Sequence, residues 1–203
     1  MLTTKQYKDK CKEARRLILS YHYHYQRPHI GSSLSCVDII VDIYYNKMKK
    51  GDVFILSKGH ASSALYAVLE MKGFKTPKPY PCHPERGEGV FCSTGSLGHG
   101  LSIACGVALA KPKNKVYVLL GDGELQEGSV WEAYCFMHRH QLTNIIEEVD
   151  NNGFQACCRT LDQRPEKPTG IKGKGISFME DNNDWHYKAP DYKEYSDALK
   201  ELL

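Results

Sequence analysis

Apolar side chains at Tyr7, Cys11, Ala14, Ile18, Tyr21 and Tyr25 recur at steps of three and four, with lysines and arginines between them. That period predicts an amphipathic helix over the first 25 residues, ended by Arg27 and Pro28. LSCVDIIVDIYYNKM, Leu34 to Met48, repeats the pattern behind the loop PHIGSS, and its serines are placed to cap a second helix. VFILS, Val53 to Ser57, is apolar without alternation and predicts a short buried strand. It leads through Lys58, Gly59 and His60 into ASSALYAVLEMKG, a helix that Gly73 is placed to stop. Residues 75–95 are rich in Pro, Gly and His and predict an ordered loop. From Gly98 the small-residue run GHGLSIACGVALA predicts a buried helix whose glycines permit close backbone approach.

VYVLLGDG, Val116 to Gly123, is the most continuous apolar run and ends in a Gly-Asp-Gly turn, as a central strand of a parallel sheet does. A helix, GSVWEAYCFMHRH, follows it. NIIEEVDNNG is a further strand and turn, but Glu147 and Glu148 interrupt it and mark a sheet edge. A last helix is expected in DYKEYSDALKELL. This alternation predicts one α/β domain over residues 1–203, a mainly parallel sheet flanked by helices.

At 203 residues and 41% hydrophobic, the chain can fill one core but not two. The net charge of +3, from 27 basic and 24 acidic residues, is dispersed and forms no basic arm, which removes the main argument for nucleic-acid binding. No stretch approaches the roughly 18 apolar residues of a membrane helix, and MLTTKQYKDKCKEARR lacks the apolar region of a secretory signal. Eight cysteines without C-x-x-C spacing read as reduced thiols, so a cytoplasmic protein is expected. Cys82, His83, Cys92 and His99 match no usual zinc spacing. Adjacent Cys157 and Cys158 read as loop thiols in preference to a strained redox pair. His22 and His24, two apart on a helix, do not face each other and read as a solvated helix end.

Candidate chemistry collects at three strand ends, SKGH, GDGE and DNNG, because α/β sheets bind ligands beyond the C-terminal ends of their strands. Asp122 offers a carboxylate oxygen and Asn152, thirty residues on, an amide oxygen; the carbonyl of Phe154 adds a third. Such hard oxygens suit Mg²⁺. The amide of Gly123, expected open at a helix start, suits a diphosphate. Taken alone, these turns are equally those of any α/β sheet.

GDGELQEGSVWEA followed by VDNNGFQ resembles the thiamine-diphosphate motif of transketolases, and LSKGHASSALYAVLE, HPERGEGVFCSTGSLGHGLSIACGVALA and KGKGISFMEDNNDWHYKAP resemble further blocks of that family in the same order. The chain resembles most closely the N-terminal, diphosphate-binding subunit of transketolases encoded by two genes. The resemblance implies that Asp122, Asn152 and the Phe154 carbonyl hold Mg²⁺ or Ca²⁺, and that His60 and Gly123 face the diphosphate, with Gly121 and Glu124 beside them. It implies that Ser96 and Leu97 bind the cofactor, Leu97 through its backbone at the aminopyrimidine ring, that His29 is the catalytic histidine of the family's G-H-P-G loop, that His83 contacts the sugar, and that His186 touches the diphosphate and assists proton transfer. Glu127 matches a glutamate that reaches across a subunit interface.

The same resemblance implies a thiamine-diphosphate-binding fold of the diphosphate type and transfer of a two-carbon ketol unit between sugars or sugar phosphates. It also implies a separate C-terminal subunit carrying the pyrimidine-binding domain, in an α2β2 assembly. The alternative is a non-catalytic, cofactor-binding or regulatory subunit of the same fold. Between DNNGFQ and KGKG the family has two further βα segments, whereas here stand sixteen residues, ACCRTLDQRPEKPTGI, too polar and Pro-rich to hold them. A sheet truncated at the strand of Glu147 and Glu148 is therefore expected. KGKG, Lys172 to Gly175, reads equally as an anion contact or a mobile glycine loop. G-S-L-G-H-G at 95–100 is not the G-x-G-x-x-G of a dinucleotide fold.

Overall fold

Three parallel strands, β1 (Val53–Leu56), β2 (Val116–Gly121) and β3 (Ile145–Asp150), pair in the order β1-β2-β3 in a computed structural model that describes residues 1–160 and 169–203. Val116 stands opposite both Val53 and Ile145, and Gly121 opposite Asp150, so the chain leaves the sheet at neighbouring points. β2 is buried along its whole length, as its unbroken apolar run requires. The pleat sends alternate residues to opposite faces. Phe54, Leu56, Tyr117 and Leu119 join one core with α1 (Thr4–Tyr25), α2 (Ile30–Ser35), α3 (Val37–Asp42), α4 (Ser62–Met71) and α7 (Tyr192–Glu201). Val53, Ile55, Val118 and Leu120 join the other with α5 (His99–Ala110) and α6 (Gly128–His140).

The edge expected at Glu147 and Glu148 is observed: among the described residues β3 pairs with β2 alone. Each glutamate is answered from its own face of the sheet. Glu147 accepts from the Tyr134 hydroxyl on α6 at 2.5 Å, and Glu148 from Lys47 Nζ at 2.8 Å. Of the sixteen residues expected to follow this strand without a further βα segment, 156–171, those at 161–168 lie outside the described residues.

Four expectations need correction. The helix expected over Leu34–Met48 starts earlier, at Ile30, breaks at Cys36, and runs on through α3 into a wide helical turn, Ile43–Lys47. Its serines are buried inside α2 and serve tertiary contacts in place of capping, Ser35 Oγ donating to Asp150 Oδ2 at 2.5 Å. His22 is no solvated helix end but is 2% exposed, because α1 presents it to α4, where Ser63 meets its Nε2 at 2.9 Å. α5 buries only one side: Gly100 lies against Ser57, while Gly106 and Leu109 are exposed. No helix among the described residues is long and apolar enough to cross a membrane.

Candidate functional site

A cleft of about 330 Å³, ample for a small ligand, opens beyond the C-terminal ends of all three strands. From β1 the chain delivers Lys58 and His60 to it; from β2, Gly121, Asp122, Gly123, Glu124 and Glu127; from β3, Asn152 and Phe154. His29 enters from the start of α2, His83 and Leu97 from the long loop before α5, and His186 from the segment before α7. The three polar turns singled out from the sequence thus converge on one space. Ser96 alone of the expected residues does not line it: it is exposed, and its carbonyl accepts from His99 N at 3.2 Å to start α5.

The oxygen donors are pre-arranged by hydrogen bonds. Asp122 Oδ2 accepts from Gly153 N at 2.6 Å and from Thr160 Oγ1 at 3.3 Å, which ties the turn after β2 to the turn after β3. Asn152 donates through Nδ2 to Asp150 Oδ2 at 3.1 Å, which fixes its amide, and its Oδ1 accepts from Phe154 N at 3.1 Å. Burial pushes the Asp122 carboxyl up, with Asp150 adding to it and the Gly153 amide opposing, so the ionised form lacks a full countercharge. A half-buried carboxylate and a buried amide oxygen with lone pairs to spare form a hard donor set that fits a divalent cation beside a diphosphate. Among the described residues no three His, Cys, Asp or Glu side chains gather around a metal-sized space, Cys82, His83, Cys92 and His99 included.

Two expected diphosphate contacts are differently placed. The Gly123 amide is not open; it donates to Asp122 Oδ1 at 3.0 Å, and a single 3₁₀ turn, Gly123–Gln126, precedes α6. Gly123 matters by its lack of a side chain, since a Cβ there would stand 2.7 Å from the Cβ of Gln155. Glu124 spends both carboxylate oxygens inside the protein: Oε1 accepts from Ser57 Oγ at 2.5 Å and Gly98 N at 2.8 Å, and Oε2 from Gly121 N at 3.1 Å. It holds the Gly-Asp-Gly turn against β1 and the start of α5. Glu127 is exposed at the N-cap of α6, and Leu97 is 41% exposed.

Three of the imidazoles lining the cleft form a triangle. The ring centroids are 5.4 Å apart for His29 and His60, 5.1 Å for His29 and His186, and 5.6 Å for His60 and His186. His29 N donates to the His186 carbonyl at 2.8 Å, so the segment before α7 is fastened to the His29 loop. Lys172 Nζ donates to His186 Nδ1 at 3.0 Å and to Asn183 Oδ1 at 2.6 Å. Burial, helped by neighbouring lysines and histidines, pushes His29 down to about 4 and His186 to about 3, and takes His60 well below its ordinary value. All three are neutral at pH 7 and can both give and take hydrogen bonds.

Sequence reasoning passed over Lys58, Ser32, Asp150 and Gln155. Lys58 is 1% exposed; its ammonium pairs with Asp150 Oδ2 and donates to the Ser32 carbonyl at 3.0 Å. Burial works against this ammonium, and the Asp150 carboxylate outweighs it. The signal was a charged residue directly after an apolar strand, in SKGH. Lys172, left open between anion contact and mobile loop, is buried, and its neighbour Gly173 donates from N to the Gly31 carbonyl at 3.1 Å.

Comparison with known proteins adds the family. Residues 8–163 match the family described as "Transketolase, thiamine diphosphate binding domain". The chain belongs to the transketolase family. It is 30% identical to an apulose-4-phosphate transketolase subunit of Phocaeicola vulgatus over 254 aligned positions, covering 93% of this chain and 90% of the relative. Those 254 positions exceed the 203 residues present, so the relative carries segments that this transketolase chain lacks. It is 33% identical to "6-deoxy-6-sulfo-D-fructose transketolase subunit SqwG" of a Clostridium species over 78% of this chain and 66% of the relative. The chain is thus a counterpart of the thiamine-diphosphate-binding subunit of split transketolases. Its fold matches the transketolase of Leishmania mexicana with a TM-score of 0.87 at 20% identity over the whole chain. It matches that of Campylobacter jejuni with a TM-score of 0.85 at 22% identity. The chain spans 41% and 43% of those two proteins' lengths.

Proposed function

We propose that this chain, one diphosphate-binding domain over residues 1–203, is the cofactor-holding half of a split transketolase that moves a two-carbon ketol unit between sugars or sugar phosphates. The observation that carries the reading is the convergence of Asp122, Asn152 and Phe154 with three neutral imidazoles and Lys58 in one cleft, Lys172 standing behind His186. Asp122, Asn152 and the Phe154 carbonyl would hold Mg²⁺ or Ca²⁺. The cation, with Lys172 behind His186, would answer the charge of a diphosphate, since Lys58 is already neutralised by Asp150. When bound, thiamine diphosphate supplies a carbon nucleophile and an electron sink for breaking the bond beside a ketone.

The chain's own part is position and proton handling. His29 and His83 would orient sugar hydroxyls at the open side of the cleft, while His60 meets the diphosphate. His186, its Nδ1 taken by Lys172, presents Nε2–H as a donor. A neutral imidazole can give or take a hydroxyl proton without a full buried charge at rest. Leu97, at the rim of the cleft, would meet the aminopyrimidine through its backbone. Glu127, exposed at the rim, is placed for a partner residue.

The partner is a separate C-terminal subunit with the pyrimidine-binding domain, in an α2β2 assembly, a reading supported by relatives whose names mark each as one subunit of a larger enzyme. Exposed Trp131 (60%) and Leu109 (48%) on α6 and α5 supply apolar surface for association. The relatives' names specify acidic sugars, a phosphate and a sulfo derivative. We extend that class to this chain, working in the cytoplasm.

Calorimetric titration of thiamine diphosphate with Mg²⁺ and with EDTA tests the cleft, and native mass spectrometry of the chain from its own cell extract tests the partner. Cation-dependent binding, and ketol transfer by the recovered complex, are expected. A complex that binds the cofactor yet transfers no ketol unit from any phosphosugar or sulfosugar marks a non-catalytic subunit. A chain that binds no thiamine diphosphate overturns the reading.

A further inference from the structure

The turn after β3 closes as a small hairpin in which Phe154 and Arg159 pair antiparallel and Gln155 N donates to the Cys158 carbonyl at 2.9 Å. Cys157 and Cys158 occupy its tip. Both are exposed, and their sulfurs are 3.6 Å apart. Gln155 Nε2 donates to Cys158 Sγ at 3.1 Å. Cys157 also lines the cleft. The base of the hairpin is fastened to the oxygen donors, because Gly153 N and Thr160 Oγ1 both donate to Asp122 Oδ2 and Thr160 N donates to the Gly153 carbonyl at 3.0 Å. Its side lies against the Gly-Asp-Gly turn through Gln155 and Gly123.

We propose that Cys157 and Cys158 form a dithiol/disulfide site whose state sets how tightly the cleft holds its diphosphate ligand. The proposal rests on the reading of the cleft given above. The six other cysteines include Cys11, Cys36 and Cys105, buried in the two cores and shielded from oxidants.

The oxidant is a low-molecular-weight disulfide. Cys158, whose sulfur accepts from the Gln155 amide, attacks one of its sulfurs as a thiolate; a mixed disulfide forms and one small thiolate leaves. The Cys157 thiolate then attacks the Cys158 sulfur, the Cys157–Cys158 bond forms, the mixed bond breaks, and the second small thiolate leaves. Two electrons pass from the cysteine pair to the small disulfide, and the two cysteine protons end on the two small thiols. Adjacent Cα atoms stand about 3.8 Å apart, closer than the roughly 4.4–6.8 Å usual for bridged cysteines. The closed ring is therefore strained and readily reduced, the behaviour of a regulatory bond and not of a structural one. Bringing the sulfurs to bonding distance displaces the contacts Gln155 makes with Cys158. That shifts Phe154 and Gly153, the residues that flank Asp122 and Asn152.

The test incubates the full chain with glutathione disulfide, maps cysteine states by peptide mass spectrometry, and titrates thiamine diphosphate with Mg²⁺ into the reduced and oxidised forms. Expected are a peptide lighter by two hydrogens that carries both cysteines, affinity lowered about tenfold or more, and recovery with dithiothreitol. Cys158→Ser should form no such bond and lose the response to oxidant. Glutathione adducts or free thiols in place of the internal bond overturn the proposal, as does a Cys157–Cys158 bond that leaves affinity unchanged. A reduced chain that binds no thiamine diphosphate overturns the reading of the cleft itself, which is a separate result from the cysteine map.

Discussion

Asn152 Nδ2 donates to Asp150 Oδ2 at 3.1 Å, and the same carboxylate oxygen accepts from Ser35 Oγ and from Lys58. One acid therefore orients a candidate metal ligand and neutralises a buried ammonium. Asp150→Asn should strand the Lys58 charge and destabilise the chain by about 3–5 kcal/mol. It should also free the Asn152 amide to turn and weaken Mg²⁺-dependent thiamine diphosphate binding. Adding Lys58→Met should restore much of the stability while binding stays weak; urea unfolding and calorimetry measure the two effects separately.

Asp122→Asn should act in the opposite sense on stability. Burial pushes the Asp122 carboxyl up, so its charge costs the folded state free energy near pH 7 when no cation is bound. The amide keeps an oxygen for Gly153 N but turns its NH2 to Gly123 N, whose hydrogen bond is lost and offsets part of the gain, so unfolding in EDTA should show stability equal to or slightly above that of the parent. The dependence of thiamine diphosphate binding on Mg²⁺ should nevertheless fall by more than the roughly 10–100-fold that loss of a supporting hydrogen bond to a metal ligand costs. Unchanged cation dependence would remove Asp122 from the donor set.

His22 should make stability depend on pH below neutrality. Its Nδ1–H donates to the Arg27 carbonyl at 2.8 Å, its Nε2 meets Ser63 Oγ at 2.9 Å, and Ser63 Oγ meets Ser33 Oγ at 2.7 Å. Burial holds it neutral, pushed down to about 4. The unfolded chain therefore takes up this proton first, and the stability present above about pH 6.5 is lost as pH falls towards 4. The loss attributable to His22 is about 3 kcal/mol. His22→Gln should make the urea-midpoint profile shallower between pH 4.5 and 7, with His29, His60 and His186 keeping the remaining slope, and an unaltered slope would refute the assignment.

Gly100→Ala should disturb the site without touching the cleft. The new Cβ would stand 2.4 Å from Ser57 Oγ and 2.7 Å from Ser57 Cα, where backbone cannot yield cheaply. Ser57 in turn holds Glu124, which anchors Gly98 and Gly121. A loss of about 1–3 kcal/mol is expected, together with weaker thiamine diphosphate binding. Gly106→Ala on the same helix meets nothing within 4 Å and should be neutral or slightly stabilising.

What lay within a window of a dozen residues was legible in the sequence. The periods of α1, α4, α6 and α7, the unbroken apolar run of β2 and the charged β3 follow from side-chain alternation, a local property of the backbone. The three strand-end turns were legible too, because parallel strands of a sheet bring their C-terminal ends to one side. Tertiary structure decided the rest. Whether Ser35 caps a helix or meets Asp150, and whether His22 is wet or buried, depends on a partner 115 or 41 residues away. The pairing of Lys58 with Asp150 spans 92 residues, and it is this distant carboxylate that lets a lysine lie buried and charged beside the cleft. A residue's type limits the bonds it can make, but burial and the charges around it, both set by the fold, determine which form it holds and what it can do.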